Sequence, residues 1–243
     1  MGRLVETHTA NTLIEFLSIV DMNCNMDFCM FRGQREAWPL LPKIARIRPR
    51  STTLNDERRM VNEFRRSLGE YNVIKPQNDW DLLSLAQHHG LATRLLDWSS
   101  NPLAALWFAI ENPAVARKDG SFPDACVYFL PLDDDDFVKD RNRGDPFSTG
   151  KTLFLAPDFV SKRIGVQKGY FSVHRITKNH RWIPLESNRF YKEYVHRIDI
   201  PQKYFSPIRR SLNQCGIDRS TLFPDLDGLC SFITWDNSLL LDE

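Results

Sequence analysis

Residues 93–102 carry a strand that runs directly into a helix start, and this transition limits the folds open to the chain. Thr93-Arg94-Leu95-Leu96-Asp97-Trp98 reads as a strand. Alternation puts Thr93, Leu95 and Asp97 on one face and Arg94, Leu96 and Trp98 on the other. Ser99-Ser100-Asn101-Pro102 follows. Asn101 is suited to cap a helix and Pro102 to its first position. Leu103, Leu106, Trp107 and Ile110 then form an apolar stripe, which predicts a helix over 102–111. An Asp in an otherwise apolar strand needs a partner, and Arg94 is one candidate.

The flanking sequence mixes both element types. Helical spacing predicts helices from Thr9 to Val20, with Thr9 or Asn11 as cap, and from Asn55 to Leu68. A further helix is capped by Asp79 and closed by Gly90, and another starts at Ser206-Pro207 and ends at Gly216. Asp27–Phe31, Ala125–Leu130, Gly169–His174 and Tyr194–Ile200 read as strands. Residues 35–53 and 141–156 read as loops, because proline, glycine and small polar residues interrupt both periodicities. The phosphate-binding patterns GxGxxG and GxxxxGK[ST] are absent. The expected fold is α+β in a single domain, with residues 1–26 as a helical extension packed on a domain of residues 27–243.

Composition narrows the classes of function. Of 243 residues, 42% are hydrophobic and 12% aromatic, which excludes a disordered chain. Lys plus Arg number 32 against 31 Asp plus Glu, so the whole molecule exerts no long-range pull on nucleic acid. A local basic stretch does exist: Lys43, Arg46, Arg48 and Arg50, followed by Arg58, Arg59, Arg65 and Arg66. No run approaches the roughly 18 apolar residues of a membrane span, and the N-terminus lacks an apolar signal region. Five widely spaced cysteines without a CxxC pair speak against a disulfide framework or a zinc site, and a cytoplasmic setting is expected. Cys126 and Cys230 sit in apolar runs and are expected to be core thiols.

Four short constellations bear chemistry. In Phe31-Arg32-Gly33-Gln34 a guanidinium stands beside a glycine that leaves room for a ligand to approach. Gln87-His88-His89-Gly90 ends a helix, where adjacent side chains point about 100° apart, so His88 and His89 cannot share one site. In Gln167-Lys168-Gly169-Tyr170-Phe171-Ser172 an amide and aromatic rings can close over a flat ligand, or simply turn into a core strand. In Phe223-Pro224-Asp225-Leu226-Asp227-Gly228 two carboxylates are either a catalytic pair or a helix cap with its turn.

Taken in order, FRGQ, QHHGLATRLLDWSSNPLAALWFA, QKGYFSVH and LFPDLDG resemble the FRG domain family across about residues 27–230. Two positions depart from the family pattern: Ala92 stands where a proline is usual, and Lys168 where a second glutamine is common. The resemblance implies a distant kinship with ADP-ribosyltransferases, hence a split β-sandwich that holds NAD as substrate in a cleft. It further implies an NAD-cleaving enzyme of bacteria, acting in phage defence or as a toxin, with a nucleic-acid or protein acceptor and no membrane partner. Arg32, Asp97 and Asp225 would be catalytic, and no metal is expected. The late acid of that pattern is a Glu, so Asp225 or Asp227 would serve with a shorter side chain. Gln34, His89, Thr93, Arg94, Trp98, Ser99, Gln167 and Phe171 would bind NAD. The alternative is a non-catalytic module that binds a nucleotide or nucleic acid.

Overall fold

The computed structural model describes residues 5–24, 28–47, 54–71, 76–142, 144–158, 162–177, 179 and 181–238. Asp27, Arg48 and Arg50, which entered the reading above, lie outside them. Seven strands form one sheet: β1 (Glu6–Thr9), β2 (Phe28–Gln34), β3 (Leu95–Ser99), β4 (Ala125–Leu132), β5 (Leu153–Leu155), β6 (Gly169–Val173) and β7 (His196–Ile200). Around it lie α1 (Leu13–Asn23), α2 (Lys43–Arg46), α3 (Leu54–Ser67), α4 (Asp79–His88), α5 (Pro102–Ile110), α6 (Lys162–Gln167), α7 (Phe205–Gln214), α8 (Arg219–Leu222) and α9 (Leu226–Asp236). The class is therefore mixed α and β, as expected.

The strand order is β1-β7-β4-β2-β3-β6-β5. The β1–β7 pair is parallel and the other pairs are antiparallel. Pairing is extensive except at one seam. β2 and β4 stay in register from Phe28↔Leu132 to Gln34↔Cys126, and β3 and β6 from Leu95↔Val173 to Ser99↔Gly169. Between β2 and β3 a single pair, Phe31↔Ser99, joins the two halves. Beyond it the strands part.

Alternation of side chains sorts the core into three clusters. Phe31, Val127, Phe129 and Ile198 pack under α1, α5 and α7 through Phe16, Leu106 and Ile208. On the β3–β6 half, Leu95, Phe171 and Val173 pack under α3 and α4 through Val61, Trp80 and Leu83. The opposite face draws from both halves: Met30 and Tyr128 join Leu96, Trp98 and Phe154. The helices thus stand on either side of the seam, and their face of the sheet is open between them.

Several expectations are corrected. β1 was not foreseen within the helical extension, and β5 lies inside the stretch read as loop. Thr12, not Thr9 or Asn11, caps α1, accepting from the Glu15 amide. Cys24 and Cys29 form a disulfide with Cα atoms 6.0 Å apart, where the sequence spoke against a disulfide framework. The end of α1 and the start of β2 bring them together, which spacing alone does not reveal. Cys126 is buried as expected, whereas Cys230 is exposed on α9. Among the described residues no helix is long and apolar enough to cross a membrane.

Candidate functional site

A cavity of about 480 Å³ opens at the seam. That lies within the range of roughly 300–1,000 Å³ common for small-molecule sites. Its floor is where β2 and β3 part, with Phe31, Arg32, Asp97, Trp98 and Ser99. One wall is α5, with Ala105 and Phe108, and the other is the end of α4, with Gln87 and His88. Gln167, Tyr170 and Phe171 close the far side from the turn between α6 and β6.

Gly33 explains how α5 reaches this position. A β-carbon there would overlap the Ala105 carbonyl and come within 2.7 Å of the Ala109 amide. The glycine therefore admits the helix backbone, and it also lines the cavity. Asn101 caps α5 by accepting from the Leu103 amide at 3.0 Å, and Pro102 opens it, as predicted. The turn from β3 into α5 is fixed by Ser99, whose Oγ donates to the Gln167 carbonyl at 2.6 Å and accepts from the Asn101 amide at 2.9 Å. The Ser100 amide in turn donates to the Lys168 carbonyl. Lys168 has φ +45°, a conformation tolerated here because this turn is held from both ends.

Arg32 spans the seam. Its Nη1 donates to the Asp97 carbonyl at 2.7 Å and lies 3.8 Å from Asp97 Oδ2. Its buried Nε has no hydrogen-bond partner among the described residues. A donor left so is costly and marks a place for an acceptor. Burial lowers the pKa of the guanidinium, Asp97 opposes the shift, and Arg46 adds to it. The group nonetheless stays cationic. The Asp97 side chain is 60% exposed, against 16% for Arg32, so it faces the opening. Gln87 holds it, with Nε2 donating to both carboxylate oxygens at 3.2 Å. Thr93 Oγ1 fixes Gln87 in turn, donating to its Oε1 at 2.8 Å. The cavity lining contains one carboxylate, Asp97, and two cations, Arg32 and Lys43. Lys43 Nζ donates to the Gly90 carbonyl at 2.8 Å.

Of the residues singled out from sequence, Arg32, Asp97, Trp98, Ser99, Gln167 and Phe171 meet at the cavity. Trp98 is among the lining residues, but its side chain is buried in the core cluster of the opposite face, where its Nε1 donates to Ser172 Oγ at 2.9 Å. Gln167 lines it too, with its amide committed to the Leu222 carbonyl. The others stand elsewhere. Arg94 does not pair with Asp97. It is buried against Glu57 of α3, with Nε–Oε2 at 2.9 Å and Nη2–Oε2 at 2.7 Å. Thr93 is fully buried behind Gln87. Gln34 turns away to the Trp38 carbonyl. His89 sits at the exposed C-terminal cap of α4, while its neighbour His88 lines the cavity. The divergence of adjacent imidazoles was foreseen, but the inward member is His88.

Asp225 is the N-cap of α9 and accepts from the Gly228 amide at 2.7 Å. It lies outside the cavity lining, so the cap reading of that constellation holds. Sequence reasoning missed Lys43, Gln87, Phe108 and Tyr170. Gln87 and Tyr170 lay inside quoted constellations and Lys43 in the basic stretch, whereas Phe108 carried no local signal.

Behind the floor lies a second network. Ser172 Oγ is 3.0 Å from His174 Nε2, and the imidazole is buried. Burial, with Arg32 and Arg94 adding to it, pulls the His174 pKa down to about 3. The lowered pKa keeps the ring neutral, and the imidazole also makes a backbone hydrogen bond to Ile183.

Residues 28–118 match the FRG domain family model. Over that segment the chain is similar to the FRG domain. The matched segment contains β2, α3, α4, β3 and α5, and so supplies the floor and both walls of the seam cavity. The FRG signature itself, Phe31-Arg32-Gly33, serves three distinct ends: a core ring at the seam pair, the spanning guanidinium, and the contact with α5. No curated protein and no solved structure matches the chain.

Proposed function

We propose that the seam cavity binds NAD and cleaves the bond between nicotinamide and ribose, as an ADP-ribosyltransferase or NAD glycohydrolase. The observation that carries this reading is the meeting of Arg32 and Asp97 where β2 and β3 part. The near-division of the sheet also supports reading the fold as a split β-sandwich of ADP-ribosyltransferase-like type.

Cleavage breaks the C1′–N bond, whose electron pair leaves with neutral nicotinamide. The ribose passes through a transition state resembling an oxocarbenium ion. Arg32 suits a diphosphate or ribose oxygen, because its Nε has no other acceptor. Asp97 faces the opening and suits a ribose hydroxyl. Its charge stabilises the cation as that charge develops. Among the lining residues, Tyr170 and Phe171 are the aromatic side chains we assign to nicotinamide. Water or an acceptor then attacks C1′ and loses a proton. With Asp225 committed as the N-cap of α9 and outside the cavity lining, Asp97 is the one carboxylate lining it.

The alternative, a module that binds without turnover, gains little from the basic stretch. Arg58 pairs with Asp145, Arg65 with Asp79, and Arg59 with Asp56, so much of that face is neutralised. The test incubates the full chain with NAD, alone and with DNA, RNA or a protein lysate, and follows nicotinamide release. Release is expected, reduced about 100-fold or more in Arg32→Lys and Asp97→Asn. Binding of NAD without release in any mixture favours the non-catalytic module. Absence of both overturns the NAD assignment.

A further inference from the structure

Among the described residues, one group of histidine and acidic side chains brings its donor atoms together: Glu6, His8 and His196, all within 4.8 Å of one another. It stands at the β1 edge of the sheet, apart from the seam. The register explains the convergence. Glu6 and His8 are two residues apart on β1 and so share a face, and Glu6 is the direct partner of His196 on the parallel strand β7. Glu6 Oε1 lies 3.8 Å from His8 Nε2, and Glu6 Oε2 lies 3.6 Å from His196 Nδ1.

We infer that Glu6, His8 and His196 form a binding site for a divalent transition-metal ion of the zinc type that ties strand β1 to β7. The donor set, two imidazoles and one carboxylate, is a common protein zinc set, and it leaves a fourth position for water or another ligand. Bonds of roughly 2.0–2.2 Å to each donor place tetrahedral donors about 3.3–3.6 Å apart. The two Glu6 contacts already come near that spacing, and the imidazole nitrogens, within 4.8 Å of each other, have to approach by at most about 1.5 Å. His8 on the edge strand makes that approach, and Glu6, half-exposed, has the freedom to follow.

Two further observations point to a ligand here. His8 Nε2 is buried and makes no hydrogen bond among the described residues. The His196 ring is stacked on Phe129 of β4 at 4.8 Å and 9°, which fixes the orientation of its donor edge before any ion arrives. Such preorganisation lowers the entropy lost on binding. β1 itself has four residues and pairs along one edge only, so a crosslink to β7 acts where the sheet has least support.

The site is tested on the full chain stripped of metal, with Zn2+ alone as probe, in competition with a chromophoric chelator. The free thiols Cys215 and Cys230 are first replaced by serine, since both are exposed and would bind zinc themselves. One equivalent of zinc is expected, with binding weakened about tenfold or more in His8→Gln and in Glu6→Gln. Glu6 is exposed, so its variant reports on the ion even if loss of a histidine disturbs folding, which circular dichroism checks. Bound Co2+ should show the visible absorption of a four-coordinate site. Less than half an equivalent, or binding unchanged in both variants, overturns the assignment.

Discussion

His174 is the residue whose burial most changes how the molecule responds to pH. Its pKa of about 3 lies below the ordinary value of 6.5, first because the ring is desolvated and then because Arg32 and Arg94 repel a proton. Between those two values the unfolded chain takes up a proton that the native chain refuses. The preference for the neutral ring therefore stabilises the fold at neutral pH and is lost as pH falls from about 6.5 towards 3. The slope is at most about 1.4 kcal/mol per pH unit, one proton's worth. Urea unfolding at pH 7.5, 6 and 5 should show stability falling with pH, and His174→Gln should flatten that fall. An identical slope in the variant would mean that carboxylates alone govern the acid response. The same residue shows what a sequence hides. His174 was visible only as the end of QKGYFSVH, and nothing local tells that two arginines from β2 and the start of β3 would gather around it.

Among the elements, α3 is held by a buried ion pair. Arg94, at the start of β3, and Glu57, on α3, are 1% and 2% exposed and joined by three hydrogen bonds, one of them from the Arg94 backbone amide. Phe147 lies against the guanidinium at 4.9 Å and shuts out water. Such a pair adds little net stability, but removing one partner leaves a buried charge uncompensated. Glu57→Gln is expected to lose about 3–5 kcal/mol, measured by urea unfolding at pH 7, whereas the double change Glu57→Leu with Arg94→Met should lose less. A loss below about 1 kcal/mol in the single variant would mean that water reaches the pair. The partners are 37 residues apart in sequence, so periodicity could not join them, and Asp97 offered a nearer but wrong partner. Elements whose signals are local were legible. Asn101-Pro102 gave the start of α5, and Gly90, at φ +87°, the end of α4. β1 and β5, of four and three residues, were not, because each is defined by a distant strand and not by its own pattern.

For the whole molecule, the decisive feature is that one strand pair and one guanidinium make the join, within the sheet, between two otherwise well-paired half-sheets that share a core on the opposite face. The half containing β4 is bonded across to β2 and β7, and the half containing β6 to β3 and β5. Sequence reasoning found residues from both sides of this seam, Arg32 on one and Asp97, Trp98 and Ser99 on the other. It had no means of seeing that their strands are neighbours that separate after a single pair. That arrangement makes the site a property of the join, since neither half holds it alone. A ligand in the cavity must touch both. Hydrogen exchange should therefore find the amides of β4 and β6 slowest, and those of β2 and β3 that point into the gap faster, because they lack a strand partner there. Addition of NAD should slow exchange in β2 and β3 together, and Arg32→Ala should abolish this joint protection while leaving β4 and β6 as before. Protection confined to one half would place the ligand on a wall and not across the seam, and Arg32 would then be a strut between half-sheets instead of a binding residue.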